Sequence, residues 1–508
     1  MQKKQTILVV ASLLVVVLSV TLAYFTAQII GKEKDVTINS ADLKIIFTDS
    51  DGAISGSNIE PGWSDTKTFT IENKSNETYK YNIVIQNLVN TFVTEGYLQY
   101  KITSTNGGYN MAEFKDVPKS ETATDTILAY SVSIPVGVTQ SYTIDFKYAN
   151  DESVDQSDDM GRKLSGKLFI TEGTEQPTLL SQILKDNPTR STRSNNNNGT
   201  NDFATPLTTT TTGTLFTSTE SITGITTSPK EVYYYAGNTT NNWVKFGGFY
   251  WRIIRTNHDG SIRLLYVGTS HDTTTGNIRT REFNISYDSP KYVGYKYGED
   301  TSLDTIRNNT TDSTIKTTID TWYKNSLKNY TKYLSTSAVY CNDRSLGTGQ
   351  TYSASSNFNF ASYYRMDYDT KGAKANPSYN CTDIRDAFSV DNTSAKLDYP
   401  VSLMTADEIA FAGGVAFKTM NNPYAWFINN SAGTQVSSYW WSLSPSYLYG
   451  SGSRVWLWFP IDVYLYRERV DGAGAVRPAI SLKSCTLYNT GDGSATNPYT
   501  ILETESGC

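Results

Sequence analysis

The chain has 508 residues, a net charge of −6 and a pI near 5.3. That leaves room for two or three domains with ample core and excludes a general nucleic-acid-binding face, which wants a basic surface. Two His and four Cys leave little for metal or thiol chemistry, so neither a metal nor a cofactor is expected, while 36 Tyr beside abundant Thr, Ser, Asn and Gly point to β-rich extracellular material.

Residues 1–31 read as a membrane anchor or signal segment. Lys3 and Lys4 precede an apolar run from Ile7 to Phe25, about 28 Å as a helix and close to the hydrocarbon thickness of a bilayer. The lysines stay cytoplasmic, so the rest of the chain is exported. Thr21-Leu22-Ala23 offers a small-x-small cleavage site, so both an uncleaved anchor and secretion after cleavage near Ala23 stay open.

Residues 32–173 alternate with period two between turn clusters. Thr66–Ile71 and Tyr79–Ile85 are two such runs, and Tyr142, Ile144, Phe146 and Tyr148 share one apolar face. The spacing predicts an all-β sandwich. Asp49-Ser50-Asp51-Gly52 has the start of a calcium loop without the remaining ligands, and reads as a solvated turn. The leader ending Ala23-Tyr24-Phe25-Thr26-Ala27, the run Asn39–Ile45, and the Ile59-Glu60-Pro61-Gly62 turn followed by Thr68–Asn73 resemble the TasA/camelysin family of exported bacterial proteins. The resemblance implies an Ig-like or jelly-roll sandwich at the cell surface, in some members assembling into fibres. It does not carry over metallopeptidase activity, because no His precedes His258.

Residues 174–230 lose periodicity and become Thr-, Ser- and Asn-rich, with Asn195–Asn198 and Thr208–Thr212 as the extremes. The expectation is a flexible stalk, with one or two helical turns around Leu179, Leu180, Ile183 and Leu184.

Residues 231–508 mix hairpins, helices and long loops, an α+β pattern. Trp251–Arg255 and Ile262–Tyr266 flank an Asn257-His258-Asp259-Gly260 turn. Ile319 to Leu334 has near-helical apolar spacing. Thr405-Ala406-Asp407-Glu408 is a capping box opening a helix through Ala412, stopped by Gly413-Gly414. Four cysteines in an exported chain imply two disulfides. Of three connectivities, Cys341–Cys381 and Cys485–Cys508 are favoured because each closes a local, loop-rich segment. No nucleophile elbow, P-loop or zinc motif appears, and His258 and His271 have no marked partners, so no catalytic residue is assigned.

The stretch Tyr439–Leu482 has two characters. Tyr439–Pro445 and Val476–Leu482 read as scaffold. Between them, Tyr447, Tyr449, Arg454, Trp456, Trp458, Phe459, Tyr464, Tyr466, Arg467, Arg469 and Asp471 sit among small spacers, Gly450 to Ser453, that suit exposed loops, as in a loop-borne binding face. The competing reading is a buried, aromatic-rich pair of core strands. Phe249–Ile254, Tyr399–Ile409, Trp440–Pro445 and Val476–Ile480 resemble bacterial surface domains with the C-type-lectin-like fold of the formylglycine-generating enzyme family. The active-site cysteine pair of the enzymes is missing, since no Cys lies between Cys381 and Cys485, and the sugar-binding lectin motifs are absent too. The layout also resembles variable proteins of diversity-generating retroelements, whose template-adenine replacement cannot reach Trp, Lys, Glu, Gln or Met. Ser446–Ala475 holds no Lys, Gln or Met, and only Trp456, Trp458 and Glu468 break that rule.

The chain is thus expected to be a bacterial cell-surface binding protein or adhesin, not an enzyme. It would present a lectin-like head to a protein or glycan on another cell, phage or host surface. The alternatives are a fibre or matrix subunit acting through the TasA-like domain, or a formylglycine-generating-type oxidase.

Overall fold

The structure, a computed structural model, describes residues 36–40, 43–49, 53–56, 59–193, 203, 207, 210–366, 375–417, 425–436, 439–450, 452–460 and 464–508. It is mostly β-sheet and divides into two compact units, Met1–Gln176 and Pro177–Cys508. Among the described residues no helix is long and apolar enough to cross a membrane; the Ile7–Phe25 run and most of the Asp49–Gly52 turn lie outside them.

The first unit has two antiparallel sheets around one core. Its strands are β1 (Val36–Ser40), β2 (Leu43–Asp49), β3 (Ala53–Gly56), β4 (Ser64–Asn73), β5 (Tyr79–Asn90), β6 (Leu98–Ser104), β7 (Lys115–Asp116), β8 (Ser120–Ile134), β9 (Thr139–Tyr148) and β10 (Leu164–Glu172). One sheet has the order β1-β2-β4-β9-β6-β7 and the other β3-β10-β5-β8. Period-two patterning places the side chains: Tyr142, Ile144, Phe146 and Tyr148 on β9 are all buried, while the residues between them are half-buried. They meet Ile83, Ile85, Leu168 and Ile170 of the other sheet in one cluster.

The second unit begins earlier than the composition suggests, and the expected stalk over 174–230 is corrected here. Thr178 caps a helix, Leu179–Asp186, by accepting from the Ser181 N–H at 3.1 Å, and Leu179 and Ile183 are buried in the main core. Thr214–Glu220 is a strand whose Leu215 and Phe216 are buried. Threonine suits a pleated strand, and few apolar residues suffice when a neighbouring sheet covers them. Asn195–Asn198, Thr208 and Thr209 lie outside the described residues.

This strand belongs to a nine-stranded sheet that continues through Lys230–Tyr234, Phe249–Thr256, Ile262–Gly268, Pro478–Leu482 and Val401–Leu403. The hairpin Phe249–Thr256/Ile262–Gly268 turns where expected, with Gly260 at φ +77°. A second sheet runs Arg279–Glu282, Ala473–Val476, Trp440–Tyr449, Gly452–Phe459, Tyr464–Arg469, with Phe358–Asn359 added on Trp440–Tyr449. The chain passes from the second sheet to the first at Arg477, which is buried and donates to the carbonyls of Tyr266 and Phe427.

Helix Ala406–Ala412 carries the expected capping box and ends at Gly413 with φ +118°. The pattern over Ile319–Leu334 resolves into a helix, Thr314–Ser326, and a 3₁₀ turn, Lys328–Tyr333. The disulfides are Cys341–Cys381 and Cys485–Cys508, the favoured pairing.

Candidate ligand-binding cleft

Strands Trp440–Tyr449, Gly452–Phe459 and Tyr464–Arg469 form a consecutive antiparallel ribbon spanning the predicted face. Its first half is not surface. Trp440, Trp441, Trp456 and Trp458 are all at most 1% exposed. For Trp440 and Trp441 this fits the frame. For Trp456 and Trp458 it corrects the expectation of contact residues. Helix Ala361–Met366 packs on this ribbon, and the Trp456 indole donates to Ser362 Oγ at 3.2 Å. Trp458 meets Phe427 edge-on at 4.8 Å.

The other predicted residues separate into three groups. Phe459, Tyr464 and Tyr466 are half-buried and pack on one another with ring centroids 5.8–6.0 Å apart. Arg454 lies 3.7 Å from Glu468, and Arg469 holds Asp471 through contacts of 2.5 and 3.0 Å while covering the Tyr287 ring. These charges are matched within the chain. Tyr447, Tyr449 and Arg467 come together at the ribbon's open end, where they line a cavity of about 400 Å³.

The opposite wall escaped sequence reasoning. Gln350, Asn357, Phe358, Asn359 and Tyr363 supply it, all on the segment closed by Cys341–Cys381. Phe358 and Asn359 pair with Leu448 and Tyr447, Asn357 Oδ1 accepts from the Gly450 N–H at 2.9 Å, and Gln350 Oε1 accepts from the Asn359 N–H at 3.0 Å. The disulfide loop was the signal that could have drawn attention to it. Tyr449 projects at the rim, 62% exposed. Cavities of this size suit small-molecule groups, and rigid aromatic rings with a few polar anchors are what such sites use.

A separate cluster of buried charge lies at helix Ala406–Ala412. Glu408 Oε1 accepts from Arg255 at 2.7 Å and Arg263 at 2.6 Å, and Arg255 also reaches Glu220 at 2.8 Å. Burial alone would raise the Glu220 carboxyl, but Arg255, the His258 contact and Arg263 hold it down at about 2. Arg365 bridges Asp343 and Asp407 beside it. The cavity here is about 20 Å³, room for a water rather than a substrate. Asp312, Asp320 and Asp398 converge as metal ligands would. The Lys316 ammonium already sits among them at 3.1, 2.6 and 2.7 Å, which accounts for the grouping. His271 Nδ1 lies 2.5 Å from Ser431 Oγ on the surface, and His258 lies 3.4 Å from Glu220.

No family model and no curated protein matches the chain. Among solved structures, a family 35 carbohydrate-binding module from an environmental isolate is 12% identical, with 30% of this chain and 93% of that one covered and a TM-score of 0.14. A likeness at that score carries no argument about fold or ligand.

Proposed function

We propose that the chain is an exported, surface-displayed binding protein whose second unit takes its ligand in the cleft between Tyr363 and Arg467. The observation that carries this is the cavity of about 400 Å³, where three tyrosines, side-chain amides and one arginine converge from two walls. The sequence resemblances to TasA/camelysin and to lectin-like variable proteins fit display at a bacterial surface. Hypervariability of Ser446–Ala475 belongs to the same proposal, and of that stretch Tyr447, Tyr449 and Arg467 are the positions whose variation would retune the cleft. A nearby reverse transcriptase with an imperfect repeat of these codons, differing only at template adenines, is the genomic observation that would support it.

The test is retention of the labelled full chain on intact bacterial cells and on purified polysaccharides. Replacing Tyr363, Tyr447 and Arg467 together by alanine abolishes retention with an unchanged unfolding curve. Replacing Phe459, Tyr464 and Tyr466 does not. Undiminished retention by the first triple variant sinks the cleft as the site. A second reading, a fibre subunit acting through the first unit, draws on β8. That strand ends the four-stranded sheet, and its first half is exposed, so it offers an open edge for another strand. Filaments formed by the full chain and lost on placing proline in Thr122–Asp125 would favour it.

A further inference from the structure

We infer that the cleft takes a saccharide residue bearing a carboxylate, and that Arg467 seats the carboxylate; this rests on the cleft being the binding site. The Arg467 guanidinium lies over the rings of Phe417 at 4.3 Å, Tyr363 at 4.5 Å, Tyr447 at 4.9 Å and Trp456 at 5.5 Å. Rings hold a guanidinium by its face and leave its N–H edge unsatisfied. Among the described residues no carboxylate or hydrogen-bond acceptor meets that edge. The contrast is on the same ribbon: Arg454 faces Glu468 and Arg469 grips Asp471. Two of three arginines are neutralised within the chain, and the third is turned into the cavity.

Among the described residues the cavity lining contains no Asp or Glu. The formal charge that these residues supply is therefore positive, from Arg467, in a chain whose net charge is −6. A planar fork of donors in an aromatic nest matches a carboxylate bidentately, and partial desolvation strengthens that pairing.

The remaining lining favours a sugar over a peptide. Tyr449, exposed at the rim, offers a flat face for C–H surfaces, Tyr363 and Tyr447 add hydroxyls for polar groups, and Gln350 and Asn359 add amides. An extended peptide would need an open backbone ladder. Tyr447 and Leu448 are already paired on both sides, with Arg454 and Ser453 and with Asn359 and Phe358.

The experiment is calorimetric titration of the full chain with methyl glucuronide, methyl glucoside, glucose 6-sulfate and an N-acetylated glutamyl peptide. The glucuronide is expected to bind at least about tenfold more tightly than the glucoside, the range for a charge-assisted pair. Arg467→Gln removes that difference, Arg467→Lys restores part of it, and Arg469→Gln leaves it intact; tryptophan fluorescence confirms that each variant folds. Equal binding of glucuronide and glucoside, both lost in Tyr447→Ala, overturns the carboxylate and keeps the cleft. Preference for the sulfate or the peptide also overturns it. Saccharide binding that survives Tyr447→Ala overturns the cleft itself, and no binding of any probe overturns the acidic-sugar assignment.

Discussion

Trp458→Ala and Tyr449→Ala, made separately, discriminate between the buried and exposed parts of one ribbon. Trp458 is 1% exposed and meets Phe427 at 4.8 Å with an interplanar angle of 87°. On the other side, any side chain at Gly414 would come within 3.1 Å of its ring, so this region has no slack to refill the space. Large-to-alanine replacement at such a site costs ~3–5 kcal/mol, a fifth or more of a domain's usual ~5–15 kcal/mol. Tyr449 is 62% exposed, and its loss should stay within ~0.5 kcal/mol. Urea unfolding followed by tryptophan fluorescence reads this directly. Of the nine tryptophans only Trp63 precedes Pro177, so the signal reports the second unit. Equal midpoints for the two variants would refute the division into core and cleft. So would wild-type ligand retention by Tyr449→Ala together with complete loss by a folded Trp458→Ala.

Three further outcomes are expected. Glu408→Gln strands Arg255 and Arg263 without their shared charge and should lower stability by ~3–5 kcal/mol, the cost of breaking a buried pair; an urea midpoint near wild type would count against it. Glu220, held down at about 2 against an ordinary 4.5, stabilises the folded state by ~3 kcal/mol above pH 4.5 and loses that as pH falls from 4.5 towards 2. Unfolding free energies measured across that window should fall for wild type and flatten in Glu220→Gln, and parallel curves would exclude the network as the cause. Removing Cys341–Cys381 as a double serine variant should cost ~2–4 kcal/mol and weaken ligand retention, because that loop carries Asn357, Asn359 and Tyr363. Unaltered retention would show that the wall is held by its strand pairing alone.

The legible parts of this chain were those whose cause is local. The Asn257–Gly260 turn, the Thr405–Glu408 capping box and the alternation on β9 each depend on a few neighbouring residues, and each forms where the residues indicate. The stalk over 174–230 was misread because composition measures what a segment could bury alone. Leu179, Ile183, Leu215 and Phe216 instead complete hydrophobic clusters supplied by the rest of the unit. Trp456 was misread for the same reason: its cover, Ser362, lies 94 residues earlier.

In the stretch Tyr439–Leu482 the sequence alone determined a tryptophan-rich entry and an Arg-Pro exit, because aromatic pairs and proline act over a few residues; the middle reads as exposed loops and is instead a ribbon of paired strands, joined by contacts between segments. The sequence also determined that tyrosine and arginine would be its currency. Which of them face solvent was decided by the tertiary structure. Helix Ala361–Met366 and Phe417 cover Trp456, matched carboxylates neutralise Arg454 and Arg469, and the loop closed by Cys341–Cys381 raises the second wall opposite Tyr447 and Arg467. Exposure is a property of what packs from elsewhere, and the Asn357–Gly450 contact that joins the two walls spans 93 residues.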